Sequence, residues 1–184
     1  VVKGDVRDTE LLRKQIDKAD AVINLAALVG FPICKKHPRE AEDVILKATS
    51  TMVDLMQGTD KLMLNASTGS VYGKIEVPCS ESTPLNPQSL YGKLKAEAEK
   101  PVLDYGGVSF RFATLFGASP CMRFDLLPNA FVWRAVNKGH LVLYRGNDRR
   151  TFLEVHDAVG VYVLALSKYA EMSSQVYNVG DESM

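Results

Sequence analysis

Cysteine is scarce in this chain: three in 184 residues, at Cys34, Cys79 and Cys121. The number is odd, the spacings are wide and no C-x-x-C pair occurs, so neither a disulfide framework nor a cysteine-based zinc or redox motif organises the sequence. Reduced thiols in a cytosolic protein are the plain expectation. Histidine is as rare, and His37, His140 and His156 lie too far apart for metal-ligand spacing, so no metal site is expected. No apolar run approaches the roughly 18 residues of a membrane-spanning helix. The opening Val1-Val2-Lys3-Gly4-Asp5 has no charged region leading into an apolar one, and no signal peptide is expected. There is no excess of charge either, since 22 basic residues balance 22 acidic ones. No net field favours nucleic acid or an anionic membrane surface, so an anionic ligand would have to be met by a few placed groups. Internal repeats, low-complexity tracts and linkers are also missing.

What is present is a globular composition, with 46% hydrophobic and 24% charged residues in a chain long enough for one real core. Strand and helix patterns alternate. Helical spacing is read at Asp8 to Lys18, with Asp8 or Thr9 as cap, at Pro38 to Gln57, at Ser89 to Leu103 with an interruption near Pro101, at Leu127 to Lys138, and at Ala158 to Tyr169. Asp157 is expected to cap the last of these. Short apolar runs at Ala21 to Ala27, Lys61 to Ala66, Val108 to Phe112, Leu141 to Tyr144, Thr151 to Val155 and Val176 to Val179 suit buried strands. Strands joined by helices of this length imply right-handed crossovers and an α/β, Rossmann-like, doubly wound parallel sheet. The chain opens inside what reads as a strand and stops at Met184, shortly after Gly180. No G-x-G-x-x-G turn, which such a fold uses to bring backbone up to a pyrophosphate, occurs anywhere. A fragment of a longer chain is expected, lacking that turn and its C-terminal end.

Tyr91 and Lys95 are four apart on an expected helix and so share one face. A free tyrosine is a poor base at neutral pH, with a pKa of about 10. A nearby ammonium favours the phenolate, and the same lysine can reach a ribose. Alone, the pair fits a solvated helix face equally well. Upstream, a strand ends in Ala66-Ser67-Thr68-Gly69-Ser70-Val71-Tyr72-Gly73. Hydroxyls at the C-terminal end of a parallel strand stand where such sheets bind ligands, and one could share in proton transfer with Tyr91. The same cluster could equally be a turn or a helix cap.

Together these segments resemble the extended short-chain dehydrogenase/reductase family, the nucleotide-sugar epimerases and dehydratases. The motif from Ser67 to Gly73 is followed by Pro87-Gln88-Ser89-Leu90-Tyr91-Gly92-Lys93-Leu94-Lys95, and the similarity runs over nearly the whole chain. The resemblance implies a catalytic set of Thr68, Tyr91 and Lys95, with Tyr91 as acid/base on a sugar hydroxyl and Lys95 on the ribose. It implies cofactor contacts at Asp5 and Val6, at Leu25, Ala26 and Ala27, and at Phe112, Ala113 and Thr114, besides Tyr91 and Lys95. It places substrate contacts at Thr68, Gly69, Ser70, Thr114, Arg123, Asn129 and Arg150, the last as a clamp on the nucleotide diphosphate. The implied cofactor is NAD, with NADP open; the implied partner is a nucleotide-diphosphate sugar. A cytoplasmic homodimer, formed through the helices from Pro38 to Gln57 and Ser89 to Leu103, is part of the same expectation. So is a division into residues 1–117, a partial NAD(P)-binding core carrying the catalytic residues, and 118–184, part of a small C-terminal substrate-binding region interleaved with the last core strands.

Two departures from the family pattern carry weight. Dehydratases have an Asp-Glu pair after the threonine; Gly69 and Ser70 stand there instead, which argues against water elimination. The asparagine usual near Ile45 is missing, and with it a supporting hydrogen bond. The reading is therefore an NAD(P)-dependent nucleotide-sugar epimerase that oxidises a sugar transiently and returns the hydride. The alternatives are a decarboxylase or reductase of the same family, or a non-catalytic Rossmann-fold binding protein or inactive fragment.

Overall fold

The computed structural model describes residues 1–74, 78–144, 146 and 150–180. Helix α1 (Thr9–Ile16) starts at Asp8, whose carboxylate accepts the Leu11 N–H at 3.0 Å, and buries Ile16. Strand β1 (Ala21–Asn24) leads into α2 (Phe31–Lys36), a short helix the sequence pattern did not announce. The expected long helix from Pro38 is continuous but not uniform. It runs as α3 (Pro38–Glu42), a π turn (Asp43–Lys47) and α4 (Ala48–Met56). Strand β2 (Leu62–Thr68) passes into a 3-10 turn (Gly69–Tyr72), followed by α5 (Leu90–Tyr105), β3 (Val108–Phe112) and β4 (Thr114–Phe116). Helix α6 (Leu127–Lys138), β5 (Phe152–Glu154), α7 (Val155–Ser167), α8 (Tyr169–Met172) and β6 (Val176–Val179) complete the order.

Four strands form one parallel sheet in the order β1-β2-β3-β6, and β4 and β5 make a separate parallel pair. The doubly wound α/β architecture is as expected. On one face Leu64, Val108, Phe110 and Phe112 pack against Ala158 and Ala165 of α7. On the other, Met63 meets Ile16 of α1, Met52, Val53 and Met56 of α4 and Val102 of α5. A third cluster joins Cys34, Ala41, Ile45 and Leu94, with Tyr91 packed on it.

Several expectations need correcting. Leu141 to Tyr144 forms no strand: four apolar residues do not make one without a neighbour to pair with, and Tyr144 is 84% exposed. Val1 to Asp5 is likewise irregular. Pro101 does not interrupt α5, because the carbonyl it leaves without an N–H belongs to Glu97, which faces solvent. Asp157 lies inside the first turn of α7; the cap is Glu154, whose carboxylate accepts the His156 N–H at 2.6 Å.

The sheet face under α5 is unusual in being polar near its C-terminal end. The strand register aligns Asn24, Asn65 and Ser109 in one row, and Ser67, Arg111 and Asn178 in the next, two residues further along. In the first row Asn24 donates to Asn65 Oδ1 at 3.2 Å and to Thr49 Oγ1 at 2.8 Å, and Asn65 donates to Ser109 Oγ at 2.9 Å. All of these residues are buried and partnered, as burial of amides and hydroxyls requires.

Candidate active site

The site is built where β2 ends and α5 begins. Thr68 is the last residue of β2 and caps the 3-10 turn, its Oγ1 accepting the Ser70 N–H at 3.2 Å. Gly73, with φ +74°, then turns the chain back so that Asn86 N donates to Val71 O at 3.0 Å. Ser89 caps α5 by accepting the Gly92 N–H at 3.0 Å. Gly92 allows the close approach that follows: a Cβ there would stand 2.8 Å from Ser70 O. Tyr91 is thereby brought beside Thr68, whose hydroxyl eases ionisation of the phenol. Thr68 thus caps the turn and also stands beside the Tyr91 phenol, so the two roles the sequence offered for its hydroxyl do not compete.

Lys95, one turn along the same helix face, is buried and donates to the Ala66 carbonyl at 2.6 Å. Burial holds its pKa down at about 8. Burial pushes Tyr91 the other way, up to about 12, with the Cys34 thiol adding to the rise. The groups that favour the phenolate are the Thr68 hydroxyl and the Arg123 guanidinium. The tuning expected of Lys95 therefore comes from other residues, because its ammonium is directed at the strand carbonyl. Cys34, buried and donating to Leu28 O at 3.1 Å, faces both Tyr91 and Lys95. Nothing in the sequence marked it, since only the fold carries α2 to α5.

Gly69 and Ser70 form the turn beside Thr68, Gly69 passing close to Phe112 O. Arg123 is paired with Asp125 at 2.5 Å yet still acts on Tyr91. Asn129 latches this segment, accepting the Gly117 N–H at 3.3 Å and donating to Arg123 O at 3.2 Å. These bonds give Asn129 a structural task alongside the substrate contact expected of it. At the ends of the neighbouring strands, Leu25 is 61% exposed, and Ala26, Ala27, Ala113 and Thr114 are partly exposed. Phe112 is buried. Small residues and an open leucine at the C-terminal edge of a parallel sheet fit a flat ring system laid across it. The Lys95 ammonium has three protons, of which one is engaged among the described residues, and this suits a ribose. Asp5, with Val6 beside it, is exposed; Arg7 donates to its carboxylate at 2.6 and 2.9 Å and holds its pKa down at about 2. Arg150 is exposed just before Thr151, whose carbonyl accepts the Thr114 N–H at 3.3 Å.

Behind Tyr91 and Lys95 lies an arrangement the sequence did not disclose. Glu99, one turn beyond Lys95, is buried. Arg111 of β3 donates to it through Nε at 3.0 Å and NH2 at 2.7 Å, and Ser67 donates to its Oε1 at 2.5 Å. Arg111 NH1 also donates to Tyr72 Oη at 2.7 Å, and Tyr72 donates to Asn178 Oδ1 at 2.6 Å. The Tyr91, Lys95, Glu99 spacing was the available signal, but a charged residue at that spacing reads as solvated until its buried partner is known.

Residues 1–180 match the family model described as the NAD dependent epimerase/dehydratase family. The chain belongs to that family. Among curated members, it is 26% identical to UDP-glucose 4-epimerase of Lactobacillus helveticus, over 97% of this chain and 62% of the relative. It is 30% identical to the low-salt glycan biosynthesis protein Agl12 of Haloferax volcanii, over 97% of this chain and 59% of the relative. Among solved structures, MoeE5 in complex with UDP-glucose and NAD is 27% identical with a TM-score of 0.86, covering 99% of this chain and 63% of that one. The UDP-glucuronic acid 4-epimerase of Bacillus cereus, at 24% identity and a TM-score of 0.87, shares the fold. The chain spans about three fifths of the length of the curated family members it matches, 62% and 61% for two of them.

Proposed function

We propose that this chain carries the catalytic centre of an NAD-dependent nucleotide-sugar epimerase. The observation that supports it is the convergence of Thr68, Tyr91 and Lys95 at the end of β2, with Gly69 and Ser70 in place of acidic residues beside them. NAD, when bound, would supply reversible hydride transfer at a sugar carbon. The remaining work falls to this chain. Tyr91 Oη removes the proton from the hydroxyl on that carbon and gives it back when the hydride returns to the opposite face. Thr68 holds the same hydroxyl and steadies the phenolate. Lys95 binds the ribose, and Arg150 grips the diphosphate, whose geometry a guanidinium matches. Gly69 and Ser70 offer no acid and base for elimination, so water stays on the sugar.

Asp5, Val6, Leu25, Ala26, Ala27, Phe112, Ala113 and Thr114 form the cofactor side in this reading. Thr114, Arg123 and Asn129 border the sugar with Thr68, Gly69 and Ser70. Residues 1–117 hold cofactor and catalyst, while 118–184 begin the substrate region. Residues 145, 147–149 and 181–184 of it lie outside the described part. Helices α3 to α5 are the proposed homodimer surface. Among the described residues no helix is long and apolar enough to cross a membrane.

The test is a panel of UDP- and dTDP-sugars offered to the full-length protein, with NAD content read by mass after denaturation. Interconversion of two epimers, with no net change in bound NAD, is the expected result. Full-length protein that neither contains nor binds NAD(P) would overturn the reading.

A further inference from the structure

Three residues spaced four apart on α5 meet three successive residues of β2. Tyr91 meets Thr68, Lys95 donates to Ala66, and Glu99 accepts from Ser67. We propose that the buried Glu99–Arg111 pair is a positioning device: through Ser67 it fixes the register of α5 on β2 and so keeps Tyr91 beside Thr68. The proposal rests on the epimerase reading for its kinetic test, though not for its structural one.

The geometry favours positioning over simple stabilisation. Glu99 is gripped from two directions. Arg111 Nε and NH2 form a fork on its two oxygens, and Oε1 also accepts from Ser67. Such bonds are directional, so the carboxylate sits in one place. The remaining guanidinium nitrogen, NH1, donates to Tyr72 Oη at 2.7 Å and to the Glu81 carbonyl at 3.2 Å. Tyr72 ends the turn that Thr68 begins. Thr68 is therefore held from both sides, by Ser67 before it and by Tyr72 after it. A slip of α5 by one residue moves each side chain by about 1.5 Å and rotates it by about 100°, which would break all three attachments together. A purely apolar contact would tolerate part of such a slip. Burying an ion pair adds little net stability compared with a packed apolar pair, so stability alone does not account for its presence.

The decisive variants, made in the full-length protein, are Ser67→Ala and the double change Glu99→Leu with Arg111→Met. Ser67→Ala deletes one hydroxyl and leaves the ion pair intact; the double variant leaves no unpaired buried charge. Three quantities are read: kcat and KM on the epimerised sugar, the thermal midpoint, and the titration of Lys95 by NMR of labelled lysine Cε. Cys34 is the titratable group that faces Lys95 from α2, and it is unchanged in every variant. The expected result is a fall in kcat of about ten-fold for Ser67→Ala and about a hundred-fold for the double variant, with KM changed by less than about two-fold. The Lys95 midpoint should climb from about 8 towards the ordinary 10.5 as the ammonium leaves its buried place on Ala66. A lowered thermal midpoint with kcat and the Lys95 titration both unmoved would overturn the proposal and leave the network merely structural. If the parent turns over no nucleotide sugar, the functional reading falls, and the Lys95 titration alone decides the positioning. If the double variant does not fold, Ser67→Ala decides it.

Discussion

Lys95 donates to the carbonyl oxygen of Ala66 at 2.6 Å, so the ammonium one turn beyond Tyr91 is tied to the strand that ends in Thr68. That bond is made in a buried place, and burial lowers the pKa of Lys95 from 10.5 to about 8. The sign of the stability effect follows. Below pH 8 the ammonium is charged in both folded and unfolded states, and the fold carries the full burial penalty. Between pH 8 and 10.5 the unfolded chain binds more protons, so stability rises with pH, by at most about 1.4 kcal/mol per unit. Lys95→Met removes this dependence. The stability of the parent relative to Lys95→Met should grow by about 1–2 kcal/mol between pH 7.5 and 9.5 in urea melts. A difference that stays flat or shrinks would show that Lys95 is not buried as described.

Tyr91→Phe and Thr68→Ala separate the proposed acid/base from the hydroxyl that eases its ionisation. Tyr91→Phe should keep the thermal midpoint close to that of the parent and lower kcat by roughly 100-fold or more. Thr68→Ala removes the hydroxyl that eases ionisation of Tyr91 against the burial that pushes it up to about 12. The phenol pKa therefore rises further, and the ascending limb of the pH–rate profile should move to more alkaline pH. A limb that stays in place in Thr68→Ala would mean that the hydroxyl does not act on the phenol.

How much of this was legible in the sequence depends on what each feature requires. Most of the strand and helix order was, because it rests on local periodicity, and so was the shared helix face of Tyr91 and Lys95, which a spacing of four fixes. The short α2 was not: six residues are too few to set a pattern, and its placement comes from Cys34 and the cluster that buries it. The run from Leu141 to Tyr144 looked like a strand because pairing partners are invisible to composition. Glu99 and Arg111 are twelve residues apart in two elements, and only the sheet register brings Arg111 opposite Ser67 and beneath α5.

Arg111→Met alone makes a sharp contrast with the double variant. It leaves the Glu99 carboxylate buried with one hydroxyl for a partner and takes a bond from Tyr72. Removing one member of a buried pair costs about 3–5 kcal/mol, whereas replacing both with apolar groups is often neutral. Arg111→Met should therefore be less stable than Glu99→Leu with Arg111→Met, although it carries fewer substitutions. Chemical denaturation of the two variants checks the order, and the reverse order would mean that Glu99 is hydrated or protonated in the fold.

Gly92→Ala tests the contact that brings α5 onto the turn after Thr68. Helix propensity alone favours alanine there by about 0.8–1 kcal/mol. The local geometry opposes it, since the new Cβ would stand 2.8 Å from the Ser70 carbonyl oxygen and 3.1 Å from Pro87 Cβ. The first contact is with backbone, which cannot swing aside as a flexible side chain would. Crowding of this kind in a packed site costs about 1–3 kcal/mol, enough to outweigh the propensity gain. The variant should be destabilised by up to about 2 kcal/mol, the difference of these two effects. The strain is relieved by lifting the first turn of α5, which carries Tyr91 away from Thr68. Loss of kcat should thus exceed what the thermal shift alone would suggest, while affinity for NAD changes less. A stabilised Gly92→Ala with undiminished kcat would show that α5 does not need this close approach.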